Sequence, residues 1–346
     1  FIHIPSVRTL NLLVGVGLVT LTALVLIQTS QNPINMAYNG SDNPTGQVAG
    51  VADSDKIHDV DTMIPAADAT HVATQNGDWF ATTTWDTGTI PGDNAQVYIP
   101  EGRDVLYSGE ATSSLFWVRV DGTLEFQGDT DSRILFDTIF VMPTGELIVG
   151  TESNPATGNI EFVVANNGDV DVSWDTSFLS RGIVIAGKAQ MSGIEKLVHG
   201  KVASDPALGA TSVTMEDDPD NWEVGDTIVI AGTNYQGYAY EPGCNCVSWH
   251  ETEDEVRTIS GISGNTVSFS TPLAYSHAAP RGDLKTSVAN YTRNIQVYNE
   301  NESIPVYQRG HVMFLHSDVI DVRYVEFRQL GRTDKSVDSS EADDLN

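Results

Sequence analysis

Two histidines, His311 and His316, stand among Arg309, Arg323, Arg328, Arg332 and Lys335. Two imidazoles in one cleft can move protons or hold a metal, so this pair is the candidate catalytic centre. Residues five apart on a regular strand point to opposite faces, and the pair converges only across a bend. From Arg309 to Lys335 five basic side chains meet four acidic ones. Such a segment could offer an anionic sugar a basic strip, with Arg309 and Arg328 as contacts. The other reading pairs these arginines with neighbouring carboxylates on a solvated face.

A second group is aromatic. Tyr235, Tyr238, Tyr240, Trp249 and His250 lie close in sequence, and aromatic faces suit the apolar faces of sugar rings. Tyr240, Trp249 and His250 are therefore candidate substrate contacts, with packing under a long loop as the alternative. Cys244 and Cys246 bracket one asparagine. One Cys-x-Cys does not make a four-ligand metal site, and exported thiols oxidise, so a local or partner-linked disulfide is expected.

Asp169, Asp171 and Asp175 alternate with Val170, Val172 and Trp174. With the valines facing inward, the carboxylates face solvent. Carboxylates two apart on a strand sit side by side, whereas a glycosidase needs them across the scissile bond. The acidic runs 216–220 and 251–255 lack the spacing of a calcium loop and read as turns. No metal site is assigned. The sequence also has no Gly-rich phosphate loop, no Gly-x-Ser-x-Gly elbow and no His-Glu-x-x-His, which removes those reaction classes.

The 346 residues carry 47 acidic against 18 basic side chains, a formal net charge of −29. This balance excludes nucleic acid as a partner, because phosphate binding needs clustered Lys and Arg. Adaptation to high salt accounts for the charge more simply than calcium, the one cofactor considered.

The elements that must position these residues are short strands. Gly122, Leu124 and Phe126 recur 23 residues on as Gly145, Leu147 and Val149, then as Gly168, Val170 and Val172. Phe116 and Val118 recur likewise as Ile139 and Val141, then as Phe162 and Val164. Period-two alternation marks strands with one buried face, and glycines mark the bends between them. One such unit buries too little apolar surface to fold alone, so successive units must stack. The expected fold is all-β: a right-handed parallel β-helix over residues 74–200, resuming at 281–346. The 23-residue interval is lost between them. There, residues 213–215, 227–230, 256–259 and 267–270, with a Ser263-Gly264-Asn265 turn, predict a small β-domain inserted at 201–280.

Residues 10–27 form an apolar run, preceded by Arg8 and followed by no charge until Asp42. An apolar helix serving as export signal or membrane anchor is expected over residues 1–27, with the bulk of the chain outside the cytoplasm. Residues 28–73 lack a hydrophobic period and read as a disordered tether. Asn39, Asn290 and Asn301 each open an Asn-x-Ser/Thr sequon.

Trp79 and Trp85, Pro91-Gly92-Asp93, Ile99-Pro100, Gly102 and the glycines at 122, 128, 145 and 150 resemble the eight-glycine domain. That domain occurs in the family of the cell-migration-inducing hyaluronan-binding protein and transmembrane protein 2, and in fibrocystin. The likeness continues through Trp222-Glu223-Val224-Gly225-Asp226, Arg257-Thr258-Ile259, the 272–277 segment, Arg293-Asn294-Ile295, His311-Val312-Met313-Phe314 and Val325-Glu326-Phe327. The resemblance implies an exported protein that binds an extracellular polysaccharide along the β-helix, with a hyaluronan-type glycosidase as its enzymatic form. A non-catalytic adhesive module, as in the fibrocystin-like members, is the alternative. Strong negative charge would repel hyaluronan, so a neutral polysaccharide is equally compatible.

Overall fold

Apolar residues fill every second position of most strands, and those strands stack in parallel with their apolar sides facing one core. The computed structural model describes residues 60–332, except 235–237, 242–245, 250–251, 316 and 318. For 238–241 and 246–249 it describes the backbone alone. The apolar run 10–27 lies outside the described residues. Among those described, no helix is long and apolar enough to cross a membrane.

Each turn of the coil supplies up to three faces. On the first, residues 132–136 of the strand Ser132–Val141 pair with Ile160–Val164, which pairs with Ile295–Asn299 and then Val325–Arg328. On the second, Gln96–Ile99 pairs with the end of Glu110–Val120, then residues 138–141, then Gly182–Ile185, then His311–Phe314. On the third, the order is Gly77–Asp78, Asp104–Tyr107, Thr123–Phe126, Glu146–Val149, Lys188–Ser192, Ile320–Arg323. All these pairings are parallel, which is the stacking of a parallel β-helix.

The 23-residue register holds only in part. Leu124 does lie on Leu147, but the next residue in that column is Ala189, followed by Ile320. Gly168, Val170 and Val172 belong to no strand, and Val172 is 57% exposed. Val118 lies on Ile139, and Phe162 on Ile134 rather than on Ile139 or Val141. For Val118 the physical reason is the two-residue period of a strand. A slip of two keeps apolar on apolar, so alternation cannot distinguish such registers, while the loops between faces differ in length. The true corner repeat is Gly122, Gly145 and Gly187. A Cβ on Gly145 would stand 2.1 Å from Val120 O, and one on Gly187 2.2 Å from Gly145 O, so only glycine lets the coils close here.

Aromatic rings run up the interior. Trp79, Tyr107, Phe126 and Phe162 follow one another at centroid spacings of 5.2, 4.8 and 4.6 Å. Trp85 packs edge-on to Trp79 and donates from Nε1 to its carbonyl at 2.8 Å, while the Tyr107 hydroxyl donates to Arg133 O at 2.8 Å. The Trp85 and Tyr107 polar groups thus keep partners inside the core.

Residues 60–73, expected as tether, belong to the folded part. Val60 and Ile64 are fully buried, Arg119 Nη1 pairs with Asp61 Oδ1 at 2.7 Å, and the same nitrogen donates to Ile64 O at 3.1 Å. His71–Val72 also pairs in parallel with Val97 and Tyr98, so the segment is held by backbone pairing as well as by side chains, though its composition alone gives no period.

Between Lys188–Ser192 and Ile295–Asn299 the chain forms a six-stranded antiparallel sheet, from His199–Lys201 through Ser287–Asn290, past the expected boundary at 280. The strands Ser212–Thr214, Thr227–Ile230, Glu255–Ser263 and Thr266–Phe269 match the four expected ones, and the sheet has its own core around Trp222, Ile228, Ile259 and Phe269. Asn294 fastens this excursion to the coil: Nδ2 donates to Ala156 O and Gly158 O at 2.8 and 2.9 Å, and Oδ1 accepts from Ile194 N at 2.8 Å.

Within that sheet Glu255, expected in an acidic turn, is 5% exposed on a strand. Its carboxylate accepts from Ala274 N at 2.8 Å, Tyr275 N at 3.1 Å, His277 Nε2 at 2.8 Å and Arg257 Nη2. Burial opposes ionisation, but these donors outweigh it and bring the carboxyl down to about 2. Arg257 and the 272–277 segment therefore meet in a structural ion cluster.

Candidate functional site

The strand Ser132–Val141 carries one carboxylate, Asp137, where it passes from the first face to the second. Asp137 is 4% exposed, and its Oδ1 accepts from Thr138 Oγ1 at 2.9 Å and Oδ2 from Asn167 Nδ2 at 2.9 Å. A loop rich in Asp, Ser and Asn leaves the coil after Ala165 and returns at Arg181, covering this side chain. Arg181 Nε lies 3.6 Å from Asp137 Oδ2, an ion pair too long to be a hydrogen bond, and Nε has no acceptor although it is buried. The Arg181 guanidinium also donates to the carbonyls of Gly168, Asp169 and Gln308.

Asp137, Arg181 and the loop border a pocket of about 290 Å³, lined further by Phe116, Asn167, Asp169, Asp171 and Trp174. Phe116, expected among the core repeats, is half-buried and packs against Trp174 with centroids 4.8 Å apart. The Trp174 indole donates to Met63 O at 2.9 Å, fixing the ring. The Ser173 hydroxyl and amide hold the Asp171 carboxyl below the usual carboxylate range. An aromatic wall beside carboxylates, an amide and a guanidinium can stack a ring and bond its hydroxyls.

The expected exposure of the Asp169–Asp175 series is reversed in part. Asp175 is 1% exposed and accepts from Leu179 N at 2.9 Å, Ser180 N at 2.7 Å and Ser180 Oγ at 2.5 Å, whereas Val172 faces solvent. The segment is a loop, so strand alternation does not apply to it. The Asp175 carboxylate closes the loop's return by accepting from the Leu179 and Ser180 amides and the Ser180 hydroxyl.

His311 lies beneath this loop. Arg332 Nη2 stands 3.0 Å from Nδ1, and arginine can only donate, so Nδ1 accepts and the ring proton sits on Nε2. Nε2 is buried without a partner. Burial, reinforced by the Arg332 charge, lowers the imidazole to about 4. His316 falls outside the described residues, as does His250.

The remaining expected contacts separate. Arg309 Nε is buried without an acceptor, and its carbonyl receives Arg332 Nε at 2.8 Å. Arg328 is spent on carboxylates, Glu302 at 2.6 Å and Glu326 at 3.2 Å, with its guanidinium 4.6 Å from the Tyr298 ring centroid. Tyr240 and Trp249 lie on the two strands of a separate hairpin, Tyr238–Glu241 with Cys246–Trp249, of which the backbone is described. Cys244 is outside the described residues. Among the described residues, no group of three His, Cys, Asp or Glu is placed to hold a metal ion.

Composition and spacing missed Asp137, Asn167, Trp174 and Arg181 as a group. One signal was available: a lone carboxylate inside the apolar run of Ser132–Val141.

Residues 84–201 match the G8 domain. A G8 domain-containing protein of Dictyostelium discoideum is 28% identical over 265 residues, covering 73% of this chain and 22% of that protein. Human Fibrocystin-L is 24% identical over 259 residues, covering 67% of this chain and 6% of its own. The chain thus spans about a fifth or less of the length of these relatives. Among solved structures, the Pseudomonas phage phi297 tailspike gp61 aligns over 67% of this chain and 26% of its own, with 12% identity and a TM-score of 0.24.

Proposed function

For a chain whose residues 84–201 are a G8 domain set in a longer parallel β-helix, we propose a polysaccharide-binding role outside the cell. The observation that carries it is the Phe116–Trp174 wall facing Asp137, Asn167, Asp169 and Arg181 across one pocket. Ring stacking on an aromatic wall supplies apolar contact, while carboxylate and amide oxygens accept from sugar hydroxyls and Arg181 donates. The favoured glycan is neutral, because a net charge of −29 opposes a polyanion such as hyaluronan at low salt. Residues 10–27 would export the protein or tether it at a membrane.

Binding without cleavage fits better than hydrolysis. His311 Nδ1 is occupied by Arg332, which leaves no free ring lone pair for a general base, and Asp175 is held by three hydrogen bonds. A glycan array on the complete protein, with product sizing on each hit, tests this. Retention of neutral glycans at unchanged length is expected. No binding to any glycan overturns the proposal, and shortened products would make the protein a glycosidase.

A further inference from the structure

A second cleft, of about 360 Å³, lies where the inserted sheet meets the coil, between the segment Val198, His199, Tyr291 and the strand Val325–Arg328. It shares no lining residue with the Trp174 pocket. Its walls are apolar side chains left in contact with solvent: Val198 is 51%, Tyr291 58% and Phe327 44% exposed.

Arg293 lines the same cleft and is 9% exposed. Among the described residues its guanidinium makes one hydrogen bond, from Nη1 to Thr292 O at 2.6 Å, and no ion pair. Several other buried or half-buried cations hold carboxylates, Arg119 with Asp61 and Asp121, Arg257 with Glu255 and Lys196 with Asp226, while Arg332 holds backbone carbonyls and His311 instead. The acids closest to Arg293 are already engaged. Asp226 receives Lys196 and Asn290, and Glu326 receives Arg328. Burial accordingly lowers the guanidinium's pKa, against the pull of Asp226 and Glu326. In the Arg293-Asn294-Ile295 triplet, Asn294 fastens the coil and Ile295 enters the core, while Arg293 has no structural acid partner.

A desolvated guanidinium without a carboxylate, flanked by exposed aromatic and aliphatic walls, is incomplete as a structural element. We propose that this cleft binds a small organic carboxylate, with the carboxylate on Arg293 and an apolar body between Tyr291 and Phe327. Planar guanidinium geometry favours a carboxylate over an isolated negative charge.

Calorimetric titration of the complete protein with phenylacetate and with its neutral analogue phenylacetamide tests the site. Saturable binding of phenylacetate is expected, at least tenfold tighter than phenylacetamide. Arg293→Gln should abolish that preference, and Phe327→Ala, at an exposed position, should weaken phenylacetate while leaving the melting temperature unchanged. Equal affinity for the two probes, a preference that survives Arg293→Gln, or no saturation by 10 mM (about −2.7 kcal/mol) would each overturn the site. Tighter binding of glucuronate than of phenylacetate would overturn the apolar body. Because the two sites share no lining residue, a failure here leaves the glycan proposal standing.

Discussion

Arg332 Nη2 lies 3.0 Å from His311 Nδ1 and also donates to the carbonyl of Arg181 at 3.1 Å, so one guanidinium links the histidine to the loop over the Asp137 pocket. A proton on Nδ1 would face that guanidinium directly and break the contact.

This sets a pH dependence. The folded-state pKa of His311 is lowered from 6.5 to about 4, so the unfolded chain takes up its proton first. Its contribution to stability is complete above pH 6.5, declines as pH falls, and is gone below about 4. Melting temperature measured from pH 7.5 to 4 should fall, and His311→Asn should flatten that fall. Parallel curves for the two proteins would refute the neutral imidazole.

The corrected register separates two apolar positions that the 23-residue interval would turn alike toward the core. Leu147 is fully buried between Leu124 and Ala189, whereas Val172 is exposed. Leu147→Ala should cost about 2–5 kcal/mol and Val172→Ala about 0.5 kcal/mol or less. Urea unfolding of both variants measures the difference, and equal losses would restore the simple repeat.

Removing the Glu255 carboxylate should strand the Arg257 guanidinium and the His277 ring nitrogen that it holds. Glu255→Gln leaves His277 and Arg257 without their acid and is expected to destabilise by about 3–5 kcal/mol. Since this carboxyl is depressed to about 2, its contribution in the parent protein is present above pH 4.5 and lost as pH falls toward 2. Amide exchange across the 271–277 segment reads the effect, and unchanged protection there would contradict the cluster.

Arg328, by contrast, sits in a half-exposed ion pair. Arg328→Ala should change stability by about 0–1 kcal/mol, and high salt should erase even that. A loss of several kcal/mol in thermal unfolding would show that its place over Tyr298 carries more than charge.

Much of the architecture is legible in the chain. Alternation in 123–126 and 146–149 gives strands with one buried face, and the turn at Gly264 gives the hairpin of the inserted sheet. Register is not legible, because Val118 fits equally well on Ile139 or Val141 by pattern; the stacked glycines at 122, 145 and 187 decide it, and the loop after Ala165 hides their spacing. The pocket is less legible still. Trp174 reads as one apolar member of an alternating run until the loop is seen to fold back, and Asp137 is a single acid whose partners lie 30 and 44 residues away in Asn167 and Arg181.

The most direct measurement is the affinity of a neutral oligosaccharide, chosen from the array, for the parent protein and for Trp174→Ala, with Tyr307→Ala as an exposed control. Loss of the stacking wall should weaken binding about tenfold or more, equivalent to about 1.4 kcal/mol, with the control unchanged. Equal affinity for all three proteins would place the glycan elsewhere and contradict the pocket.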